Sequence, residues 1–309
     1  MFSSERALNF NAPYGENSIT VFPRGGLGNQ LFIYATGRAL SLRLGVPLIL
    51  DLSWFRYHPD RKFELSLLAS KEPSVNTMNS EGNHWRGPSS IGSKIYSAKE
   101  LIWTQRKTMV RELGFQFDPR IMLAGPGDSI VGYFQSWKYF NDHAQSIRQE
   151  ILSCFLSCTG DSNGINFKQK ENELAIHVRL GDYTKGKASS VHGVLPFEYY
   201  SRALNEIENK MAVAKISLLS DDPARARLML EELSMTHLEV RPRESAWHAL
   251  EIMSKSSALI MANSSLSWWG AWLGGIDKRL CLYPDPWFAQ ETSESPDLIP
   301  RGWFSIPRW

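Results

Sequence analysis

Apolar residues along this chain fall into short continuous runs and into longer stretches with a 3.6-residue period, and the two kinds alternate. Ile19 to Phe22 is a short β-prone run that leads into Arg24, Gly25, Gly26 and Gly28. From Asn29 to Leu44 the residues Leu31, Phe32, Ala35, Ala39 and Leu42 recur at helical spacing, and Gly45 with Pro47 supplies a stop. Val46 to Leu52 reads as a buried strand. The opening is therefore predicted as a right-handed βαβ unit with a glycine-lined loop at the carboxyl end of its first strand.

Between about Ser70 and Gly127 the period weakens and predicts no element. From Gly132 to Phe155 an aromatic, strand-like piece precedes a helix around Asn141 to Phe155. The run from Ser157 to Asn172, rich in Gly, Ser, Asn and Lys, reads as an interdomain linker. Beyond it strands are predicted over Leu174–Leu180, Lys215–Ser220, His237–Val240, Ala258–Ala262 and Arg279–Tyr283. Helices are predicted over Pro196–Met211, Pro223–Leu233, Ala246–Ser254 and Ser267–Leu273. Strands separated by helical patterns of this length predict an α/β fold with a parallel, doubly wound sheet whose ligands sit at the carboxyl ends of its strands. Two domains are expected, 1–160 and 173–309.

Composition narrows the picture. A length of 309 residues suits two domains with cores of their own, and 43% hydrophobic with 21% charged residues is globular. The net charge of +2 argues against a surface that coats nucleic acid, so anion recognition has to be local. Eleven Trp offer aromatic faces that suit sugar C–H surfaces as well as ordinary cores. Cys154, Cys158 and Cys281 form neither an even framework nor a CxxC pair, which points to a reducing compartment. No stretch reaches the roughly 20 apolar residues of a bilayer span. Ala258 to Ile276 comes nearest and is broken by Asn263, Ser264, Ser265 and Ser267. A cytoplasmic protein, at most peripheral at the inner membrane face, is the expectation.

Four predicted strand-to-helix loops carry residues that packing does not require. In Gly25–Gln30 (GGLGNQ) glycines admit a close ligand and the helix amino terminus offers N–H groups to a phosphate, although Asn29 could equally cap the helix. Leu31 stands where a dinucleotide fingerprint has its last glycine. In His177–Asp182 (HVRLGD) strand alternation puts His177 and Arg179 on one face, where a guanidinium fork suits a diphosphate leaving group; an Arg–carboxylate pair that fixes the loop is the competing reading. In Ser220–Pro223 (SDDP) a carboxylate could accept the two N–H groups of guanine, but Asp222 before Pro223 is also the pattern of a helix cap. In Asn263–Gly270 (NSSLSWWG) hydroxyls and N–H groups could hold phosphate or ribose, or Ser267 could simply cap.

Taken together, GGLGNQLFIYATGRALSLRLG, HVRLGDY, LLSDDP and NSSLSWWGAWLG resemble the four signatures of the α-1,2-fucosyltransferase family in their usual order, and Leu298–Ile306 (LIPRGWFSI) resembles its closing motif. The resemblance runs from Ile19 to about Ile306. It implies a GT-B-type fold of two Rossmann-like lobes facing a central cleft, with GDP-β-L-fucose as donor. It also implies inversion to an α-1,2 linkage on the 2-hydroxyl of a galactoside in a glycan, and neither a required metal nor a further cofactor. The acceptor implied is an oligosaccharide, lipid-linked in O-antigen assembly. By similarity to the α-1,6- and protein O-fucosyltransferases, the β-phosphate role carries over to Arg179, a nucleotide-side role to His177 and the guanine carboxylate to Asp222. The same similarity sets Gly28 and Asn29 beside the donor and makes Ser264 and Ser265 the phosphate-contacting loop.

The pattern departs at the general base, because a related enzyme has Glu ten residues after the loop histidine where this chain has Lys187. Asp182 ranks first as base, with His192 and a base-free dissociative route open beside it. Two rival readings are a transferase of another GDP-activated hexose and a non-catalytic carbohydrate-binding protein that uses the Trp-rich surface.

Overall fold

The computed structural model of the protein describes residues 17–79, 109–159, 169–181, 186–275, 279–289 and 297–309, with 156–159 and 186–188 described by their backbone alone. Its strands form two sheets that are parallel throughout. The first contains β1 (Ile19–Val21), β2 (Leu48–Asp51), β3 (Val75–Met78), β4 (Met109–Arg111) and β5 (Ser129–Val131) in the order β3-β2-β1-β5-β4. The second contains β6 (Lys170–Val178), β7 (Lys215–Ser220), β8 (Leu238–Val240), β9 (Ser256–Ile260), β10 (Leu280–Asp285) and β11 (Phe304–Pro307) in the order β11-β10-β9-β6-β7-β8. The α/β fold of two Rossmann-like lobes expected from the signatures is the fold found. Parallel sheets need cover on both faces, which is why the strand runs are apolar rather than alternating.

Most predicted elements stand, with shifted ends. The first helix spans Leu27–Leu44 and is capped by Gly26 with no side-chain bond, so Asn29 lies in its first turn and is not its cap. The helix Ser265–Gly274 is capped by Ser264, whose Oγ accepts the N–H of Leu266 at 3.3 Å; Ser267 lies inside the helix. The aromatic piece after Gly132 is a loop, since β5 ends at Val131 and Phe134 takes a left-handed φ of 53°. Of the polar run read as a linker, Ser157–Thr159 belong to the helix Ala144–Thr159 and Lys170–Asn172 to β6, while 160–168 lie outside the described residues. Strands β3 and β4 lie within Ser70–Gly127, where the period predicts no element, and β5 and β11 likewise have no counterpart in the sequence pattern.

The lobes share one core. A continuous apolar cluster runs from β1 and the Leu27–Leu44 helix through the Ala246–Lys255 and Ser265–Gly274 helices to one face of the second sheet. At its centre Phe32 meets Trp268 and Trp269 at ring distances of 4.6 and 5.1 Å, and Phe140 stacks on Trp269 at 5.5 Å. Trp268 and Trp269 are fully buried, so these two belong to the core and not to a sugar platform. The other face of the second sheet packs under Tyr199, Tyr200, Leu204 and Ile207 of the Phe197–Glu208 helix. Among the described residues no helix is long and apolar enough to cross a membrane.

Candidate active site between the lobes

In an open parallel sheet the ligand crevice lies at the carboxyl edge where the strand order reverses. The first sheet reverses between β1 and β5, the second between β6 and β9. A side-chain bond marks each point. In the first lobe Nε2 of Gln135, past β5, donates to Oδ1 of Asn29, past β1, at 3.0 Å. In the second, Nδ1 of His177 on β6 lies 2.5 Å from Oγ of Ser267, past β9.

Gly28 brings the two points together. A Cβ on this residue would stand 2.5 Å from the Leu266 nitrogen and 2.6 Å from Ser265 Oγ, so the first turns of the two helices touch through a glycine with no room for a side chain. Trp269 Nε1 adds a bond of 3.0 Å to the Gly28 carbonyl. Asn29, Ser264, Ser265 and His177 thus converge on one seam, where the amino-terminal N–H groups of two helices collect a positive field suited to an anion.

Arg179 follows β6 directly, partly exposed, with Nη1 3.2 Å from Oδ2 of Asp221. Asp221 Oδ1 accepts the N–H of Leu180 at 2.9 Å, so one carboxylate orients both the guanidinium and its loop. The two acids of SDDP therefore divide: Asp222 is exposed and caps the Pro223–Met229 helix through Arg225 N at 3.2 Å, while Asp221 supports Arg179. Sequence reasoning missed Asp221, although the doubled Asp held the signal, since a cap uses only one of them. Asp182, expected as base or as the partner of Arg179, lies outside the described residues.

Burial holds the His177 imidazole down to about 4, with the neighbouring Arg179 charge acting the same way against Asp221. The ring is therefore neutral at physiological pH and Arg179 is the cation of this pair. On the first lobe Arg24 is buried and its guanidinium lies 4.2 Å over the ring of Tyr133; desolvation lowers it to about 10, still charged at neutral pH. Glu112, past β4, accepts the N–H groups of Tyr133 and Phe134 at 2.9 Å each and the hydroxyl of Tyr139 at 3.0 Å. Desolvation pushes its carboxyl up to about 7 against those bonds and the Arg24 charge.

A family profile described as Glycosyl transferase family 11 matches residues 129–306. The chain belongs to glycosyltransferase family 11. Over 303 residues it is 29% identical to the O-antigen biosynthesis glycosyltransferase WbnK of Escherichia coli, covering 91% of this chain and 98% of that protein. Over 297 residues it is 28% identical to an Escherichia coli α-1,2-colitosyltransferase, covering 92% and 97%. Among solved structures, POFUT1 in complex with GDP-fucose covers 96% of this chain and 99% of that one at 12% identity, with a TM-score of 0.44. The family-11 match includes the Arg179, Asp222 and Ser264–Ser265 loops and begins at β5, so the Gly28–Asn29 turn lies before it.

Proposed function

We propose that this family-11 glycosyltransferase moves L-fucose from GDP-β-L-fucose to the 2-hydroxyl of a β-galactoside in a glycan, inverting the anomeric centre to an α-1,2 linkage. One observation carries the reading: the Asp221-oriented guanidinium of Arg179 sits at the tip of β6, beside the seam where the Gly28 turn and the Ser264–Ser265 loop meet. A departing sugar leaves charge on the β-phosphate, and a preorganised cation and helix N–H groups stabilise charge that develops in the transition state. In this reading the second lobe grips GDP through Arg179, Ser264 and Ser265, with His177 behind them and Asp222 on guanine. Gly28 and Asn29 close on the donor from the first lobe, whose carboxyl edge takes the acceptor, and Asp182 joins the catalytic loop. No step of this scheme uses a metal or a further cofactor. Likeness to the O-antigen biosynthesis glycosyltransferase WbnK supports a glycan of O-antigen type as acceptor, and the reading takes that acceptor as lipid-linked and met at the inner membrane face.

The α-1,2-colitosyltransferase likeness favours a second reading with the same site and linkage but a different sugar. Incubating the protein with GDP-fucose, GDP-mannose and GDP-colitose against a panel of galactosides, with linkage analysis of each product, decides between them. Fucose on O-2 of galactose is the expected product. Turnover of another donor in preference would assign the site to that sugar, and failure to turn over any donor while the glycans still bind would leave a carbohydrate-binding protein.

A further inference from the structure

Inverting displacement needs a group that takes the acceptor proton, and the described carboxylates and imidazoles at the two carboxyl edges differ in fitness for it. Glu112 has both oxygens engaged by Tyr133, Phe134 and Tyr139, which makes it a support for the Gly132–Gln135 loop. His177 is buried against Ser267 and held neutral far below its ordinary range. His192 is placed differently. Its ring is half-buried and meets Phe288 of the second lobe at 5.4 Å, and Phe288 in turn meets Phe115 of the first lobe at 5.2 Å. The imidazole therefore lies on the seam between lobes.

Its loop is pinned from two sides. Asn263, three residues past β9 at the switch point, donates Nδ2 to the His192 carbonyl at 2.7 Å and to the Gly193 carbonyl at 3.3 Å. Arg308, directly past β11 and fully buried, donates Nη2 to the same His192 carbonyl at 2.5 Å and Nη1 to the Trp287 carbonyl at 3.1 Å. A Cβ on Gly193, at a φ of 61°, would stand 2.8 Å from Arg308 Nη2, so the loop has no slack on that side. A buried guanidinium and a buried amide from two strand ends thus converge on one backbone carbonyl, and the ionisable side chain on that residue is an imidazole. Pinning the carbonyl fixes where that imidazole stands against Phe288.

We infer that His192 is the catalytic base of the transfer and that Asn263 and Arg308 are the positioning residues that hold it at the seam. The inference rests on the transfer reaction proposed above and holds for whichever sugar is moved. As the acceptor oxygen bonds to the anomeric carbon, the bond from that carbon to the β-phosphate oxygen breaks. The acceptor proton passes to an imidazole nitrogen, and GDP leaves with its new charge facing Arg179. Imidazole suits the task because its ordinary range lies next to neutral pH. Of the side chains met here Arg308 is charged, while Asn263, Phe288 and Phe115 are not.

The test uses the full-length enzyme with the donor and acceptor that the wild type turns over, so a wrong sugar shows in the wild-type product and a wrong base only in the variants. His192→Gln should lower kcat by about 10²- to 10³-fold, remove the acidic limb of the kcat/KM profile, and leave GDP affinity by calorimetry within about twofold. Asn263→Ala should lower kcat by about tenfold with the acidic limb still present, the mark of a group that acts through His192. Thermal melting checks that each variant is folded, and His192→Asn serves as a second substitution of similar size. A His192→Gln enzyme with kcat within about threefold of wild type, or with the acidic limb intact, or with GDP affinity lost in step with kcat, would overturn the assignment.

Discussion

The Nδ1 of His177 and the Oγ of Ser267, 2.5 Å apart, join β6 to the start of the Ser265–Gly274 helix, and the same hydroxyl accepts the N–H of Ala262 at 3.1 Å. Two strands distant in sequence are thereby locked at the point where ligands of such sheets bind. Burial in this dry site keeps the ring neutral.

The lowered His177 value gives a signed prediction. A histidine near 4 in the folded state and near 6.5 unfolded binds fewer protons folded than unfolded, so its contribution to stability is full above about 6.5 and is lost as pH falls toward 4. Urea unfolding of the wild type across that window should show the loss, and His177→Gln should flatten it. No pH-rate limb near 6.5 should trace to His177.

Glu112 should act in the opposite sense. Its carboxyl at about 7 keeps a proton in the folded state that the unfolded chain has released, so stability is full below about 4.5 and declines as pH rises to 7. The size is at most about 3 kcal/mol. Glu112→Gln should remove this decline, as read by unfolding midpoints at pH 5, 6, 7 and 8. A variant with the wild-type slope would remove Glu112 as its source.

Arg179→Ala should lower kcat/KM by about 10²- to 10³-fold, the scale of losing one preorganised donor to a developing anion. Asp221→Asn should lower it less, because the guanidinium remains and only its tether is weakened. Since both act on one charge, the double variant should fall short of the product of the single losses. Additive losses in steady-state kinetics would mean that Asp221 does not act through Arg179.

Gly28→Ala should cost about 1–3 kcal/mol of stability, because the new Cβ meets backbone at 2.5 Å and backbone cannot swing aside as a side chain can. Thermal unfolding measures it. Gly26→Ala is the control, since nothing lies within 4 Å of a Cβ there.

How much of this was legible in advance depends on range. Apolar runs and helical spacing are local, and they marked β1, β2, β6, β7 and most helices to within a few residues. β3 and β4 lie in the stretch where the apolar pattern weakens and β5 lies just past it, so none of the three shows in the pattern. Caps misled in both directions: Asn29 and Ser267 look like caps, yet Gly26 and Ser264 hold those places. A cap needs extended backbone before the helix, and residue type does not report where the backbone turns.

The sequence by itself determined that this chain folds as two parallel α/β units and that His177, Arg179, Asn29 and the Ser264–Ser265 pair lie at strand ends, since strand alternation and loop placement follow from neighbours in the chain. Only the tertiary structure decided which of these meet: Asn29 with Gln135, His177 with Ser267, Arg179 with Asp221 rather than Asp222, and His192 under Asn263 and Arg308. The reason is that parallel strands pair through crossovers. Their order in the sheet is set by which faces can be covered together, and that choice brings together residues separated by between 42 and 116 positions of chain.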